Sequence, residues 1–371
     1  MQSGIKYRFL WVFAWFIMTV WMAGCSNESN HIECGPRYWG PHSIHFSADG
    51  TAYLLGYAQL LAVDPQGNIK FNYLLINDTD FDDIDISNNN IWVPEAGSDF
   101  YKTFTLAIID LQGNSITQLT TDFLMISSVK IVPSTDIGWI GGLCPIMAGA
   151  FVIKALEPRL EALNVSGQTL TSFTLPQPSI SSFNELNYVK LAISSSGTIW
   201  AWSPGYLSGY SFTGLVYGPY PINMVESSER YLGCVINEKW IIENPVTNDI
   251  WMGNPATTTV LALSPDGTIQ FQKNLDINVS TMAVSPKTGN VWIGSGNKIE
   301  VLDPHGNVIK QLVLKNLNCI TYMAISPLDD TVWVGNETNI DSTDKDIFIL
   351  DDNGNIVNSV YVPVRWFAPC M

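Results

Sequence analysis

TMAVSPKTGNVWIGSGNKIEVLDPHGNVIKQLVL, residues 281–314, is the stretch that decides the fold. It divides into four short apolar or alternating runs, separated by the turn sequences SPKTGN, GSGN and DPHGN. In such turns proline fixes φ and glycine supplies positive φ. The run Val291–Ile293 combines β-branched and aromatic residues, which strands favour. The stretch therefore predicts four β-strands, and it needs neighbours because a small isolated sheet is only marginally stable.

The same pattern recurs along the chain. Trp251, Trp292 and Trp333 are 41 residues apart, and each lies in an equivalent phrase. Earlier copies of this position are Tyr53, Trp92, Trp139 and Trp200. A turn rich in Asp, Asn and Gly follows in six copies, while residues 214–221 stand in its place in the fourth. Seven four-stranded units of about 40–50 residues predict an all-β chain folded as a β-propeller, with six blades as the alternative count.

The spacing between markers separates a propeller from a large sandwich or barrel, which would not need an equal period. The distance from the repeated Trp to the next turn glycine varies from 14 residues, Trp292 to Gly306, to 28 residues, Trp139 to Gly167. Insertions therefore collect between the second and third strands of each blade. We name the side of the disc that carries these connections the insertion face, and we expect functional loops there.

Three phrases carry a family resemblance: MAVSP at 282–286, VWIG at 291–294 and LDPHGN at 302–307. They resemble bacterial propellers of the NHL, virginiamycin B lyase-like and YVTN group. The resemblance covers residues 40–370 and is strongest over 245–355. It implies the fold and little about activity, because that group contains binding modules and a few lyases. The lyases use histidine and a divalent metal, but no lyase motif is matched here and no catalytic residue carries over.

The N-terminus has the features of an export signal. Lys6 and Arg8 precede the apolar run 9–22, which is too short for an ordinary membrane span. Met22-Ala23-Gly24-Cys25 follows and resembles the bacterial lipoprotein signal, in which the cysteine receives lipid such as palmitate and becomes the mature N-terminus. A plain signal peptide or an uncleaved anchor is the alternative. We expect a signal peptide at 1–24, lipidated Cys25 and a tether at 25–40, and a propeller domain at 41–371.

Composition supports an exported, folded domain. The formal charge is −16, and removal of Lys6 and Arg8 with the leader makes it −18. Such a chain should repel nucleic acid and anionic lipid headgroups, so we expect attachment to a membrane only through lipid at Cys25. The expected location is the cell envelope, on the periplasmic side or at the cell surface. Apolar residues make up 46% of the chain and charged residues 14%, which indicates a large core.

Acidic residues are the strongest candidates for chemistry. The segment 78–85 falls between the first two blades, and Asp78, Asp80 and Asp82 alternate as oxygen ligands of Ca²⁺ often do. The segment lacks the glycine and final glutamate of a helix-loop-helix calcium site, so a solvated acidic turn is the favoured interpretation and a Ca²⁺ site is the alternative. No cofactor other than Ca²⁺ is suggested.

The insertions also contain acidic and aromatic residues that suit a basic or sugar-containing partner, although solubility alone would explain an acidic rim. The alternating acids and the unrepeated aromatics favour a binding face over a catalytic centre. The candidates are Glu95, Asp99, Tyr101, Tyr206, Tyr210, Glu337, Asp341 and Asp344. The repeated Trp residues are expected to pack between blades instead, because every blade has one.

Histidines and cysteines give few further leads. His42 and His45 flank the first strand, and one of them could face the central channel as a packed residue, a metal ligand or a base. His305 belongs to a repeated turn. Cys34 and Cys370 lie near the two chain ends, which a closed propeller brings together, so they are a candidate disulfide in an exported protein. The pairing of Cys144, Cys234 and Cys319 stays open.

Three functions remain compatible with the sequence. The favoured one is a lipid-anchored binding or scaffold module whose insertion face recruits a protein or glycan. The alternative is a metal-dependent lyase or hydrolase at the channel mouth. The third is a purely structural envelope component. Whether the protein is an enzyme is undecided, and the missing catalytic motif favours a binding protein.

Overall fold

The computed structural model describes 41, 43–56, 59–75, 83–87, 89–95, 104–132, 135–149, 152–176, 189–203, 205–222, 240–254, 257–317, 319–336 and 346–361. These residues form 28 strands in seven sheets. Each sheet contains four consecutive antiparallel strands, and neighbouring strands in the sequence are neighbours in the sheet. The first strands of successive blades pack against each other, and the first strand of blade 7 packs against that of blade 1. The prediction of a seven-bladed propeller is confirmed.

The first four blades have these strands. Blade 1 contains β1 Ser43–Phe46, β2 Ala52–Gly56, β3 Gln59–Val63 and β4 Ile69–Leu74. Blade 2 contains β5 Asp85–Ile86, β6 Asn90–Glu95, β7 Thr105–Asp110 and β8 Ser115–Thr120. Blade 3 contains β9 Met125–Ile131, β10 Ile137–Gly149, β11 Val152–Asn164 and β12 Thr169–Thr174. Blade 4 contains β13 Lys190–Ile193, β14 Ile199–Ser203, β15 Tyr206–Ser211 and β16 Gly214–Pro221.

The last three blades follow the same order. Blade 5 contains β17 Trp240–Glu243, β18 Ile250–Gly253, β19 Thr259–Leu263 and β20 Ile269–Asn274. Blade 6 contains β21 Thr281–Val284, β22 Val291–Ser295, β23 Lys298–Leu302 and β24 Val308–Val313. Blade 7 contains β25 Ile320–Ile325, β26 Val332–Asn336, β27 Ile347–Leu350 and β28 Ile356–Val360. In the described residues no helix is long and apolar enough to cross a membrane.

The pattern of buried and exposed residues along each strand shows which strands lie inside a blade and which lie at its outer edge. Second and third strands are almost wholly buried, as in β2 and β3, whereas fourth strands alternate between exposed and half-buried residues, as in β4. The inner strands therefore need apolar residues on both faces, and the outer strand on one face only. The 281–314 stretch forms blade 6 with the four strands that the sequence predicts.

The repeated Trp residues pack between blades, as predicted. Trp92 is fully buried among residues of blades 2 and 3. Its ring lies so close to the backbone of Gly138 in blade 3 that a Cβ atom there would be 2.5 Å from Cζ3. Trp333 makes an edge-to-face contact with Phe46 of blade 1, with ring centroids 5.4 Å apart. This contact helps to join the last blade to the first.

Blade 4 differs from the sequence interpretation in one respect. Residues 214–221, which stand where the repeated turn was expected, form the outer strand β16. The turn itself is shorter and contains Ser211 and Thr213, whose hydroxyl groups are 2.9 Å apart. The strand was missed because Gly214, Gly218 and two prolines interrupt its alternation.

We expect loss of the Trp333 ring to weaken the closure between blades 7 and 1. Trp333→Ala should lower the free energy of unfolding by about 3–5 kcal/mol, because it leaves a cavity between two sheets. Ile309→Ala, on the exposed part of β24, is the control and should change it by less than about 0.5 kcal/mol. The measurement is urea unfolding followed by circular dichroism. Equal effects of the two substitutions would contradict this role of Trp333.

Two cysteines can be assigned in the described residues. Cys144 is free and buried, and burial raises the pKa of its thiol to about 12. Cys319 belongs to a disulfide whose partner lies outside the described residues. Cys25, Cys34, Cys234 and Cys370 also lie outside them, so lipidation of Cys25 and the Cys34–Cys370 bond stay predictions. If both predictions hold, Cys234 is the only thiol left to pair with Cys319.

Differential alkylation tests this assignment. In the native protein Cys144 should not react with iodoacetamide at neutral pH. Burial raises the pKa of its thiol, so very little of the reactive thiolate forms. Unfolding without reductant should expose Cys144 to the reagent, and Cys319 should react only after reduction. Peptide mapping without reduction should link Cys319 to Cys234. Rapid labelling of native Cys144, or of unreduced Cys319, would contradict the assignment.

Candidate functional site

The central channel is lined by the first strand of each blade. In each blade one residue of this strand pairs with the repeated Trp or Tyr of the second strand, and we call its position layer 2. Layer 1 is the position two residues earlier, on the same side of the strand. Layer 1 contains Ser43, Asp83, Ser128, Lys190, Trp240, Thr281 and Tyr322. Layer 2 contains His45, Asp85, Lys130, Ala192, Ile242, Ala283 and Ala324.

Contacts across the ring confirm that these positions face the channel. Trp240 of blade 5 and Tyr322 of blade 7 have ring centroids 4.9 Å apart, although blade 6 lies between their strands in the order of the ring. The ring of His45 in blade 1 lies 6.4 Å from that of Tyr322. First strands begin on the side where second strands end, because the two are antiparallel. Layer 1 is therefore nearer the insertion face than layer 2.

Side chains of the two layers hydrogen-bond to the next blade at three junctions of the ring. The Asp85 carboxylate accepts a hydrogen bond of 2.6 Å from the N–H of Ile131 in blade 3. The Ser128 hydroxyl accepts one of 3.1 Å from the N–H of Leu191 in blade 4. The Thr281 hydroxyl accepts one of 3.0 Å from the N–H of Met323 in blade 7. Each N–H donor is the residue that directly follows a layer 1 or layer 2 residue in the sequence of its own blade. First strands are sheet edges, and these bonds satisfy their buried N–H groups.

Charged residues concentrate in blades 1 to 3. Lys130 Nζ lies 3.0 and 3.1 Å from the two carboxylate oxygens of Asp83. Ser128 donates a 2.6 Å hydrogen bond to the same carboxylate. The His45 imidazole lies between the two acids, with Nε2 3.6 Å from Asp83 Oδ1 and Nδ1 3.6 Å from Asp85 Oδ1. We name His45, Asp83, Asp85 and Lys130 the channel cluster.

The opposite wall has different chemistry. Blades 5 to 7 contribute Trp240, Ile242, Ala283, Tyr322 and Ala324, which are aromatic or apolar. The Trp240 Nε1–H donates a 2.8 Å hydrogen bond to the Ser280 carbonyl, which fixes the indole ring. The channel cluster keeps 11–18% of its side-chain surface exposed, so solvent reaches this level. The channel thus has a polar wall and an aromatic wall, and the Trp240 and Tyr322 rings meet across it.

The surroundings of Asp85 favour its ionised form. Burial alone would raise the pKa of Asp85, but contact with His45, the positive charge of Lys130 and the Ile131 N–H outweigh burial, and the pKa of Asp85 is lowered. A lowered pKa in the folded state means that ionised Asp85 stabilises the fold. This contribution is present above the pKa of the unfolded chain and is lost as pH falls through the folded value.

We therefore expect Asp85→Asn to destabilise the protein by about 1–3 kcal/mol near neutral pH, because it removes a charge-assisted contact while keeping an acceptor for Ile131. The difference from the parent should shrink as pH falls below about 4, where the unfolded carboxyl becomes protonated. Asp352→Asn, in an exposed turn, is the control. Urea unfolding across this pH range provides the measurement, and a difference that does not change with pH would count against the account.

A second feature lies on the insertion face. In blade 3, β10 and β11 have 13 residues each, whereas second strands of other blades have four to six. Gly142–Gly149 pairs with Val152–Arg159 beyond the regular blade, and we name Gly142–Arg159 the arm. At about 3.3 Å per residue, the arm adds roughly 25 Å of paired strand. The predicted insertion in this blade is therefore an extended hairpin and not an irregular loop.

The base of the arm is anchored in the core. The Leu143 carbonyl accepts a 2.9 Å hydrogen bond from Leu124 N, and Leu143 and Cys144 pack with Phe104 and Phe123. A Cβ atom on Gly142 would lie 2.0 Å from a backbone oxygen of β9, so only glycine fits where the arm leaves the blade. At the same base Arg159, which pairs with Gly142, forms ion pairs with Glu157 and Glu161 at 3.2 and 3.4 Å.

The arm then reaches solvent with apolar side chains. Ile146 and Met147 are 40% and 49% exposed. Both lie in the paired part of β10, so a hairpin backbone holds them in place. Rigid, exposed apolar side chains at the end of a projecting element are typical of contact residues in interfaces.

The residues singled out from the sequence fall into two groups. Glu95 is buried in β6 and accepts a 2.6 Å hydrogen bond from Gln118. Tyr206 is half-buried in β15, and Tyr210 is buried and stacked on Phe173, with centroids 5.2 Å apart. A partner contact through any of the three stays a prediction. Outside the described residues lie Asp78, Asp80, Asp82, Asp99, Tyr101, Glu337, Asp341 and Asp344.

Sequence reasoning missed the channel cluster as a group. His45 and the 78–85 acids were each noticed, but Asp83 and Asp85 were assigned to a surface turn, and Lys130 was not considered. The sequence gives no clear signal for the cluster, because the equivalent first-strand positions differ from blade to blade and include Lys190, Trp240 and Tyr322. His305 is exposed in its turn, as expected. Within the described chain, no group of three or more His, Cys, Asp or Glu residues is arranged to hold a metal ion.

Comparison with known proteins gives the fold. No protein-family model matches the chain, and no curated protein matches its sequence. Among solved structures, hydrazine synthase of Kuenenia stuttgartiensis is similar with a TM-score of 0.57 at 13% identity, covering 86% of this chain and 99% of that one.

Two lyases are similar to the same degree. Virginiamycin B lyase from Staphylococcus aureus has a TM-score of 0.58 at 12% identity, covering 81% of this chain and 93% of that one. A streptogramin B lyase has a TM-score of 0.58 at 15% identity, covering 81% and 91%. These structures support the β-propeller fold. At such identities the likeness concerns the fold and not the activity.

Proposed function

We propose that this protein is a lipid-anchored binding module of the cell envelope that recruits a protein partner through the arm. The observation that carries the proposal is the arm itself: a hairpin found in one blade only among the described second and third strands, anchored at its base and apolar at its exposed end. In the described residues of the other blades, second and third strands have four to six residues, as the repeat predicts. Only the base of the arm packs in the core, and its outer part departs from the repeat.

The chemistry of the arm favours a protein over nucleic acid. Ile146 and Met147 offer apolar surface, and methionine adapts its shape to irregular partner surfaces. The arm contains two cations, Lys154 and Arg159. Arg159 is already paired with two carboxylates, and the whole chain has a formal charge of −16. Nucleic acid would meet electrostatic repulsion here. A neutral or basic protein surface with an apolar groove would fit.

The membrane attachment of the proposal rests on the sequence. A lipidated Cys25 would tether the propeller by residues 25–40, and the negative charge of the chain would leave the propeller itself without affinity for anionic lipid. Such a tether places the arm within reach of envelope proteins. Recruitment of a partner by the arm does not require catalysis.

The test compares two pairs of exposed apolar residues. Ile146→Ser with Met147→Ser removes the apolar end of the arm, while Ile309→Ser with Val357→Ser removes side chains of equal or greater exposure from outer strands. In quantitative pull-downs from the organism's own envelope extract, the arm variant should lose its main protein partner by about tenfold or more, since each apolar contact contributes about 1–2 kcal/mol.

The control variant should retain the partner at the parental level. Circular dichroism and thermal melts should show that both variants remain folded, because neither pair lies in the core. Equal recovery of every protein by the parent and the arm variant would refute recruitment through the arm.

A further inference from the structure

The described chain enters the propeller on the insertion face. Pro41 is buried and stands two residues before Ser43, the layer 1 residue of blade 1. Its carbonyl accepts a 3.1 Å hydrogen bond from the hydroxyl of Thr321, which directly precedes the layer 1 residue of blade 7. A Cβ atom on Gly335, near the insertion-face end of β26, would lie 3.0 Å from Pro41 Cγ. These contacts fix the point where the preceding chain joins the ring.

The arm leaves the propeller from the same face, because it continues the second strand β10 beyond Gly142. Residues 25–40 lie outside the described residues, but their number limits their reach. At 3.3–3.6 Å per residue, 16 residues span at most about 55 Å. A lipid on Cys25 would therefore hold the insertion face within about 55 Å of the membrane surface. Whenever this tether is extended, it turns the side with the arm toward the membrane.

We propose that the arm binds an integral protein of the membrane that holds the Cys25 lipid. This inference rests on the proposed recruitment through the arm and names the class of partner. Ile146 and Met147 are exposed on the outer part of the arm, and residues 145–153 include no charged residue. Integral proteins have apolar and aromatic surface where they leave the bilayer. An apolar arm on the membrane side of the disc matches such a surface.

The hydrogen bonding of the arm disfavours the lipid interior as its binding partner. Among the described strands, none pairs with β10 beyond Leu143 or with β11 before Arg159, except the arm's own two strands with each other. Both edges of the hairpin therefore have backbone groups without a neighbouring strand. Open sheet edges do not enter lipid hydrocarbon, because nothing there satisfies these groups. The formal charge of −16 also disfavours anionic headgroups, whereas a protein surface can offer hydrogen bonds.

The test compares an anchored and a released form of the full mature chain in the organism's own envelope. In the released form, the signal peptide of a secreted protein replaces residues 1–24, and Cys25→Ser removes the lipid site. Both forms have a photoreactive amino acid at position 146. Adduct yield per molecule should fall by about tenfold or more in the released form, because attachment to the same membrane raises avidity by about 10²–10⁴. Mass spectrometry should identify a protein with membrane-spanning segments.

Position 309 is the matched control, because Ile309 is at least as exposed as Ile146 but lies on an outer strand. A third form, in which one membrane-spanning helix precedes residue 26 of the chain, should restore the adduct. Circular dichroism checks that the released form is folded, and the identity of the partner of the anchored form decides the matter if it is not.

Equal adduct yield from the anchored and released forms, or a soluble protein as the partner, would overturn this inference and leave recruitment by the arm intact. Adducts with lipid alone would assign the arm to the bilayer and would also overturn it. If no form gives an adduct above the background at position 309, recruitment through the arm is itself refuted.

Discussion

Backbone N–H groups on the innermost strands impose the constraint on which the rest of this propeller depends. Each blade is a complete four-stranded sheet, so its first strand is an edge with unpaired groups facing the next blade. Because these groups are buried, leaving them unpaired would destabilise the ring. Asp85, Ser128 and Thr281 accept hydrogen bonds from the next blade, and the repeated Trp residues fill the space behind them. Within the described residues, side chains beyond this requirement are the candidates for function.

Two places meet that description. The arm extends beyond the blade that supports it. Its base packs in the core, and its outer part is exposed. The channel at the junction of blades 1 and 2 has polar atoms that the ring does not use. The first feature projects into solvent, whereas the second is buried inside the ring.

Much of this architecture could be predicted from the sequence, because it is written as a repeat. The spacing of Trp251, Trp292 and Trp333 predicts the blades, and the variable distance after the Trp predicts the insertion face. Blade 4 was partly missed because glycine and proline hide the alternation of β16. The hairpin form of the arm was not predicted, since Pro145 and Pro158 read as loop residues although both lie in paired strands.

The channel could not be predicted from local sequence. His45, Asp83, Asp85 and Lys130 come from three blades, and only ring closure and strand register bring them together. Sequence periodicity gives the side of a strand on which a residue lies, but not which neighbours complete its hydrogen bonds. The same limit applies to Cys144, whose raised pKa follows from packing around the base of the arm.

The central claim is that the end of the arm is a contact surface and the outer strands are not. Site-specific photo-crosslinking tests it most directly, with a photoreactive amino acid placed at Met147 or at Ile309 in the full chain expressed in its own envelope. The account predicts one discrete protein adduct from position 147 and none of comparable yield from position 309. No adduct at position 147, or the same adducts at both positions, would contradict it.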